Sequence, residues 1–149
     1  MSAASAKAII AAVPIACVPL AGCSGVGSST SPTPEVSVSD SDGSIVVGEG
    51  SQLPTSWPKD VPAPKGLPLQ SAVVTGRKTV ALYLGPGDAV RIGDTLKAEL
   101  IANDYRPKGT ITYGGASVTT FVRESTKVDV AVGQTGTDAS ITITVERPA

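Results

Sequence analysis

The second half of the chain alternates apolar and polar positions with a period of two residues, which is typical of half-buried β-strands. Turn sequences separate the runs at Gly114-Gly115, at Glu124-Ser125-Thr126 and within 133–138. The pattern predicts four strands with Ser and Thr on their other face. The positions expected to face inward are Ile111 and Tyr113; Val118, Thr120 and Val122; Val128, Val130 and Val132; and Ala139, Ile141, Ile143 and Val145.

Two further strands are predicted earlier in the chain. Residues 69–75 and 78–84 are rich in apolar and β-branched residues, and only Gly76-Arg77 separates them. In the second run Val80, Leu82 and Leu84 alternate with Thr79, Ala81 and Tyr83. We therefore expect a hairpin.

A single helix is predicted between the hairpin and the later strands. Asp88 follows the turn Gly85-Pro86-Gly87 and can cap the first turn of the helix. Asn103 is a plausible left-handed terminator before Pro107, and Gly93 weakens the helix from within. The apolar face consists of Ala89, Ile92, Leu96 and Leu100.

The stretch 53–68 contains five prolines, which favour extended backbone over helix or central strand. Its spacing suits a ligand of proline-recognising domains, but Trp57 and Val61 favour a collar that docks on the protein's own core. One helix cannot cover both faces of a sheet. We therefore predict an α+β domain over 53–149, with an antiparallel sheet of about six strands and the helix and collar on one face.

A linker is predicted before this domain, over residues 23–52. The stretch 24–52 is rich in Ser, Thr, Gly, Pro and Asp, has a net charge of −4 and includes only one apolar cluster, Ile45-Val46-Val47. Such a sequence buries too little to offset its ordering entropy, so it is expected to be disordered. Residues 28–34 also suit an O-glycosylated stalk, and residues 40–44 resemble half of a calcium loop whose later ligands are missing.

Residues 1–22 have the layout of a signal peptide, with Lys7 before an apolar stretch and then small residues. The apolar stretch contains two prolines and is shorter than the roughly 20 residues of a membrane-spanning helix. Leu20-Ala21-Gly22-Cys23 resembles the lipobox of bacterial lipoproteins, which Cys17 does not match. The resemblance implies cleavage before Cys23, lipid on its thiol and a location on the extracytoplasmic face of the cell membrane. A retained membrane helix and a non-lipidated exported protein are the alternatives.

A second resemblance covers most of the chain after the leader. The segment from Trp57 to Gly66, followed by a hairpin, a helix and strands, is similar to the small uncharacterised lipoproteins of high-GC Gram-positive bacteria. Such proteins often have Gly-Trp after the helix, where this chain has Asp104-Tyr105. The resemblance implies no catalytic residues and no cofactor.

Composition argues against several classes of function. The chain contains no histidine, and its two cysteines, Cys17 and Cys23, lie outside the predicted domain. The commonest transition-metal ligands and the usual base for a serine nucleophile are therefore missing. From Leu53 onward 11 basic and 9 acidic residues give a charge too weak to favour nucleic acid. We expect a protein that is not an enzyme and has no cofactor or metal site.

Two functional classes remain. One is a binding or scaffolding module at the cell envelope that contacts an envelope protein or cell-wall polymer, and the other is an inhibitor or modulator of an extracytoplasmic enzyme. The alternation places Phe121 and Arg123 on the outer face of the sheet, with Lys127 and Asp129 on the next strand. An apolar centre with charged neighbours is typical of a protein-binding patch. A shifted strand or a collar folded over Phe121 is the alternative.

Overall fold

The computed structural model describes residues 36–40, 43–48 and 51–149. These residues form one antiparallel sheet and one helix. The order across the sheet is β1-β2-β3-β4-β8-β7-β6-β5. The elements are β1 (Val36–Asp40), β2 (Gly43–Val47), β3 (Leu69–Thr75), β4 (Lys78–Pro86), α1 (Ala89–Ala102), β5 (Arg106–Tyr113), β6 (Ala116–Arg123), β7 (Thr126–Thr135) and β8 (Asp138–Glu146).

The antiparallel sheet with one helix on one face confirms the predicted α+β class. The number of strands was underestimated: about six were expected, whereas seven follow from Gly43 onward and β1 adds an eighth at the edge. Both extra strands come from the stretch predicted as linker, so that prediction is wrong for 36–40 and 43–47. The composition argument counted only apolar side chains. A segment can also be held by backbone pairing, and β2 pairs with β3 along its whole length. The leader 1–22, Cys23 and residues 24–35 lie outside the described residues.

One face of the sheet carries the core. Ala72, Ala81 and Ile143 are fully buried on neighbouring strands of this face. The helix packs mainly on β7 and β8, at the centre of the sheet. The buried rows of β7 and β8 match the predicted inward positions: Val128, Val130, Val132, Ala139, Ile141, Ile143 and Val145.

The helix begins as predicted but ends differently. Asp88 Oδ1 accepts a hydrogen bond from the Arg91 amide at 3.1 Å, which caps the first turn. Asn103 is the C-cap, directly after the last helical residue, and has a φ of −92°. The left-handed residue is instead Asp104, with a φ of 67°. Asn103 stays right-handed because its amide still bonds to the Glu99 carbonyl.

The proline-rich stretch docks on the core, as the collar interpretation predicted. Trp57, Val61 and Leu67 are buried in the main apolar cluster. The Trp57 indole donates a hydrogen bond to the Val61 carbonyl at 2.8 Å, which closes the collar on itself. Asn103 Nδ2 donates to the Asp60 carbonyl at 2.8 Å. The collar is therefore tied to the end of the helix as well as to the sheet.

Candidate binding surface

The four residues predicted as a partner surface do not form one. Phe121 is buried on the helix side of β6, with only 1% of its surface exposed. Lys127 and Asp129 lie on the opposite face, hereafter the outer face, because the residues between and beside them point into the core. The predicted patch therefore lacks its apolar centre.

The error in β6 arises from the length of one turn. A three-residue turn at 124–126 was predicted, whereas the structure has a two-residue turn at Glu124-Ser125 that pairs Arg123 with Thr126. The register then places Phe121 opposite Val128, which faces the core. A shift of one residue moves every side chain of a strand to the other face.

Arg123 takes part in a cluster that joins the collar to the sheet. Its Nη1 donates to Asp60 Oδ2 at 2.7 Å, and the Tyr105 hydroxyl donates to the same oxygen at 2.9 Å. The guanidinium lies 5.9 Å from the centre of the Tyr105 ring. Burial, followed by the hydrogen bond to Asp60, raises the pKa of Tyr105 well above its usual value. The arrangement holds the collar in place and leaves the Arg123 side chain 36% exposed.

Lys127 and Asp129 form an ion pair along β7. Lys127 Nζ lies 2.9 Å from Asp129 Oδ2, and Thr120 Oγ1 donates to Asp129 Oδ1 at 2.6 Å. The hydrogen bond to Asp129 is the main cause of the raised pKa of Lys127. Because both charges are paired with each other at the surface, the pair contributes little to the stability of the fold.

The outer face of β2–β4 carries an apolar surface that the sequence analysis did not assign. We call it the outer strip. It was missed because β4 has apolar residues in both of its alternating rows, and only the row of Thr79, Ala81 and Tyr83 is buried. A strand that is apolar on both faces is typical of a strand covered on both sides. The outer strip consists of Ile45, Val47, Val73, Val80, Leu82 and Leu84.

A second exposed apolar surface lies on the β5–β6 hairpin, at the opposite edge of the sheet. Ile111 is 75% exposed, Tyr113 is 87% exposed, and Val118 pairs with Ile111 on the same face. We call these three residues the hairpin patch. They were predicted to face inward. The expectation is wrong because these residues face away from the helix. Val118 lies opposite Ala131, in the same cross-strand row as Thr142 and Leu82 of the outer face.

The clefts among the described residues are small or open. A cavity of about 180 Å³ lies between the collar and the helix, beside the ion pair of Lys65 with Glu99. Ligand pockets usually measure about 300–1,000 Å³, so this cavity suits no sizeable ligand. A depression of about 420 Å³ near the start of β5 is open and lined mostly by charged side chains of both signs.

No group of three or more acidic, Cys or His residues that could hold a metal is found in 36–40, 43–48 or 51–149. Within the same ranges no helix combines the length and apolarity needed to cross a bilayer. Comparison of the chain with family models, with curated proteins and with solved structures gives no match.

Proposed function

We propose that the chain is an extracytoplasmic lipoprotein whose sheet domain binds another envelope component without catalysis, and that the β5–β6 hairpin is the binding element. The observation that carries the proposal is the free edge of β5. Among the described residues this strand pairs only with β6, so one row of its backbone groups faces outward. Such an edge is a template for a strand from another chain.

The two halves of β5 differ in how open they are to pairing. The first half contains Arg106, Pro107 and Lys108, and its register shifts between Pro107 and Gly109. Charges, proline and bulges are the usual features that protect an edge strand from association. Residues 110–113 have none of them. An extended segment of a partner protein is therefore expected to pair along 110–113.

Side chains of the hairpin patch add an apolar contact to this edge. The run 110–122 contains no charged residue, so no charge has to be desolvated when a partner covers it. Tyr113 stands at the tip beside the turn Gly114-Gly115, whose positive φ angles of 57° and 82° suit a tight hairpin. Exposed Tyr side chains are frequent anchors at protein interfaces.

The proposed anchor is lipid on Cys23, supported by Leu20-Ala21-Gly22-Cys23 after a short apolar leader. The Cys23→Ser change is expected to release the domain from the membrane fraction or to leave an uncleaved precursor. A Cys23→Ser chain that is processed and fractionates like the wild type would refute the anchor.

The hairpin is tested by crosslinking the full chain in intact cells and identifying the captured partner. Tyr113→Ser is expected to lose the partner, whereas the matched control Val90→Ser is expected to retain it. Val90 is an apolar residue of α1 that is also well exposed, at 66%. Both changes should alter stability by less than about 0.5 kcal/mol. Equal capture by both variants would contradict the role of the hairpin.

The identity of the partner also tests the second candidate function. A projecting Tyr113 at a hairpin tip suits insertion into the cleft of an enzyme, as an inhibitor requires. Capture of one secreted enzyme would favour the inhibitor. Capture of a membrane complex or cell-wall polymer would favour the binding module.

A further inference from the structure

The outer strip is continuous across three strands. Ile45 pairs with Val73 and Val73 pairs with Val80, which forms one apolar row. A second row joins Val47 to Leu82 through Ser71. No charged side chain interrupts these rows. Ile45, Val47 and Leu84 are 41–46% exposed, and the other three residues of the strip are half-buried. Exposed apolar surfaces mark sites that contact a protein or a membrane.

The position of the strip near β1 places it within reach of the membrane that would hold the anchor. β1 is the edge strand next to β2, and the chain reaches it from Cys23 through residues 24–35. Even fully extended, this connection spans only on the order of 45 Å. Neighbouring strands are about 4.8 Å apart, so β2, β3 and β4 all lie within about 15 Å of β1. The strip can thus reach any membrane in which Cys23 is anchored.

We propose that the outer strip rests on the surface of the bilayer that holds the lipid anchor. The inference relies on the proposed lipidation of Cys23. A short connection gives the strip a high effective concentration at the membrane, so even weak apolar contact is sufficient. Arg77 and Lys78 are exposed at the end of the β3–β4 hairpin, where they can contact lipid phosphate groups. The hairpin patch lies on the same face of the sheet but at its other edge, with β8 and β7 between the two surfaces.

The test measures lipid contact at single labelled positions of the lipidated full chain in vesicles. Lipidation blocks the Cys23 thiol, the leader containing Cys17 is removed, and the described residues contain no cysteine. The variants Val47→Cys and Val90→Cys therefore each offer one free thiol for a fluorophore. The vesicles contain phosphatidylcholine and phosphatidylglycerol, with or without a nitroxide on the acyl chains.

Nitroxide lipids are expected to quench the label at position 47 several-fold more than the label at position 90, which lies on the helix across the sheet. Equal quenching at both positions would overturn the proposal. A label at position 47 that is shielded from aqueous iodide but not quenched by nitroxide lipids would also overturn it, since a second copy or another protein would then cover the strip. Failure of lipidation is recognised separately, because Cys23 then takes up label and the chain does not remain with the vesicles.

Discussion

Two hydroxyl groups stand out inside the core, those of Tyr83 and Thr79. Both side chains are buried, and neither hydroxyl has a hydrogen-bond partner among the described residues. Burial also raises the pKa of Tyr83 to about 12. An unpaired buried hydroxyl lowers stability, because it loses its bonds to water on folding.

The Tyr83→Phe change is therefore expected to raise the free energy of unfolding by about 1 kcal/mol at neutral pH. Above pH 10 the unfolded wild type loses the Tyr83 proton while the folded state keeps it until about pH 12. The stability of the wild type is therefore unaffected by this group below pH 10 and falls as pH rises from 10 towards 12. The difference in free energy of unfolding between Tyr83→Phe and the wild type should widen over this range. Urea unfolding at several pH values measures both effects.

The matched control for this change is Tyr113→Phe. Tyr113 is largely exposed, so its hydroxyl is hydrated in both states and the variant should unfold like the wild type. If Tyr83→Phe lowers the stability instead, the Tyr83 hydroxyl has a partner and the argument from burial fails.

At the scale of the elements, the contact of helix and sheet depends on Gly93. A Cβ atom at this position would lie 2.7 Å from Val132 Cγ2, closer than packed carbon atoms approach. Gly93 weakens the isolated helix, as the sequence indicated, but it lets α1 approach β7. The preference for glycine at this position therefore comes from packing.

Gly93→Ala is expected to lower the free energy of unfolding by about 1–3 kcal/mol, although alanine favours a helix by about 1 kcal/mol. Adding Val132→Ala should restore part of that loss, because it removes the methyl groups in the way. Denaturant unfolding of the two single variants and the double variant gives the interaction free energy between positions 93 and 132. If Gly93→Ala is stabilising, helix propensity outweighs packing here.

The sequence was informative for elements whose signals are local. The β3–β4 hairpin, the cap at Asp88 and the turn at Gly114-Gly115 all follow from short patterns. The face predicted for the side chains of β6 was wrong because a turn of two or three residues reverses that face. The sequence Glu124-Ser125-Thr126 fits a turn of either length. The hairpin patch was missed for a related reason. Alternation shows that a strand has an apolar row, but not which face of the sheet that row lies on.

At the scale of the whole molecule, the strand order could not be predicted from local patterns. β8 lies between β4 and β7, so residues about 60 positions apart in sequence become direct neighbours. The two edges of the sheet come from β1 and β5. Pro107 between two basic residues is a local sign that β5 lies at an edge, but no local pattern shows that β8 lies at the centre.

Shortening the chain from either end should therefore have unequal effects. A chain that ends at Gly136 lacks β8, loses the centre of the sheet and is expected to show no cooperative unfolding. A chain that begins at Gly48 lacks only β1 and β2, the two outermost strands on one side of the sheet, and it should still unfold cooperatively at reduced stability. Circular dichroism during urea unfolding distinguishes the two. Cooperative unfolding of the chain that ends at Gly136 would contradict this view of the sheet.

The central place of β8 also determines when the molecule can become folded during its synthesis. Among the described strands β8 comes last in sequence, so a ribosome makes it after the other seven. Until then β4 and β7 lack the strand that joins them, and Ile141 and Ile143 are missing from the core. The two parts of the sheet on either side of β8 therefore cannot join before this strand has been made.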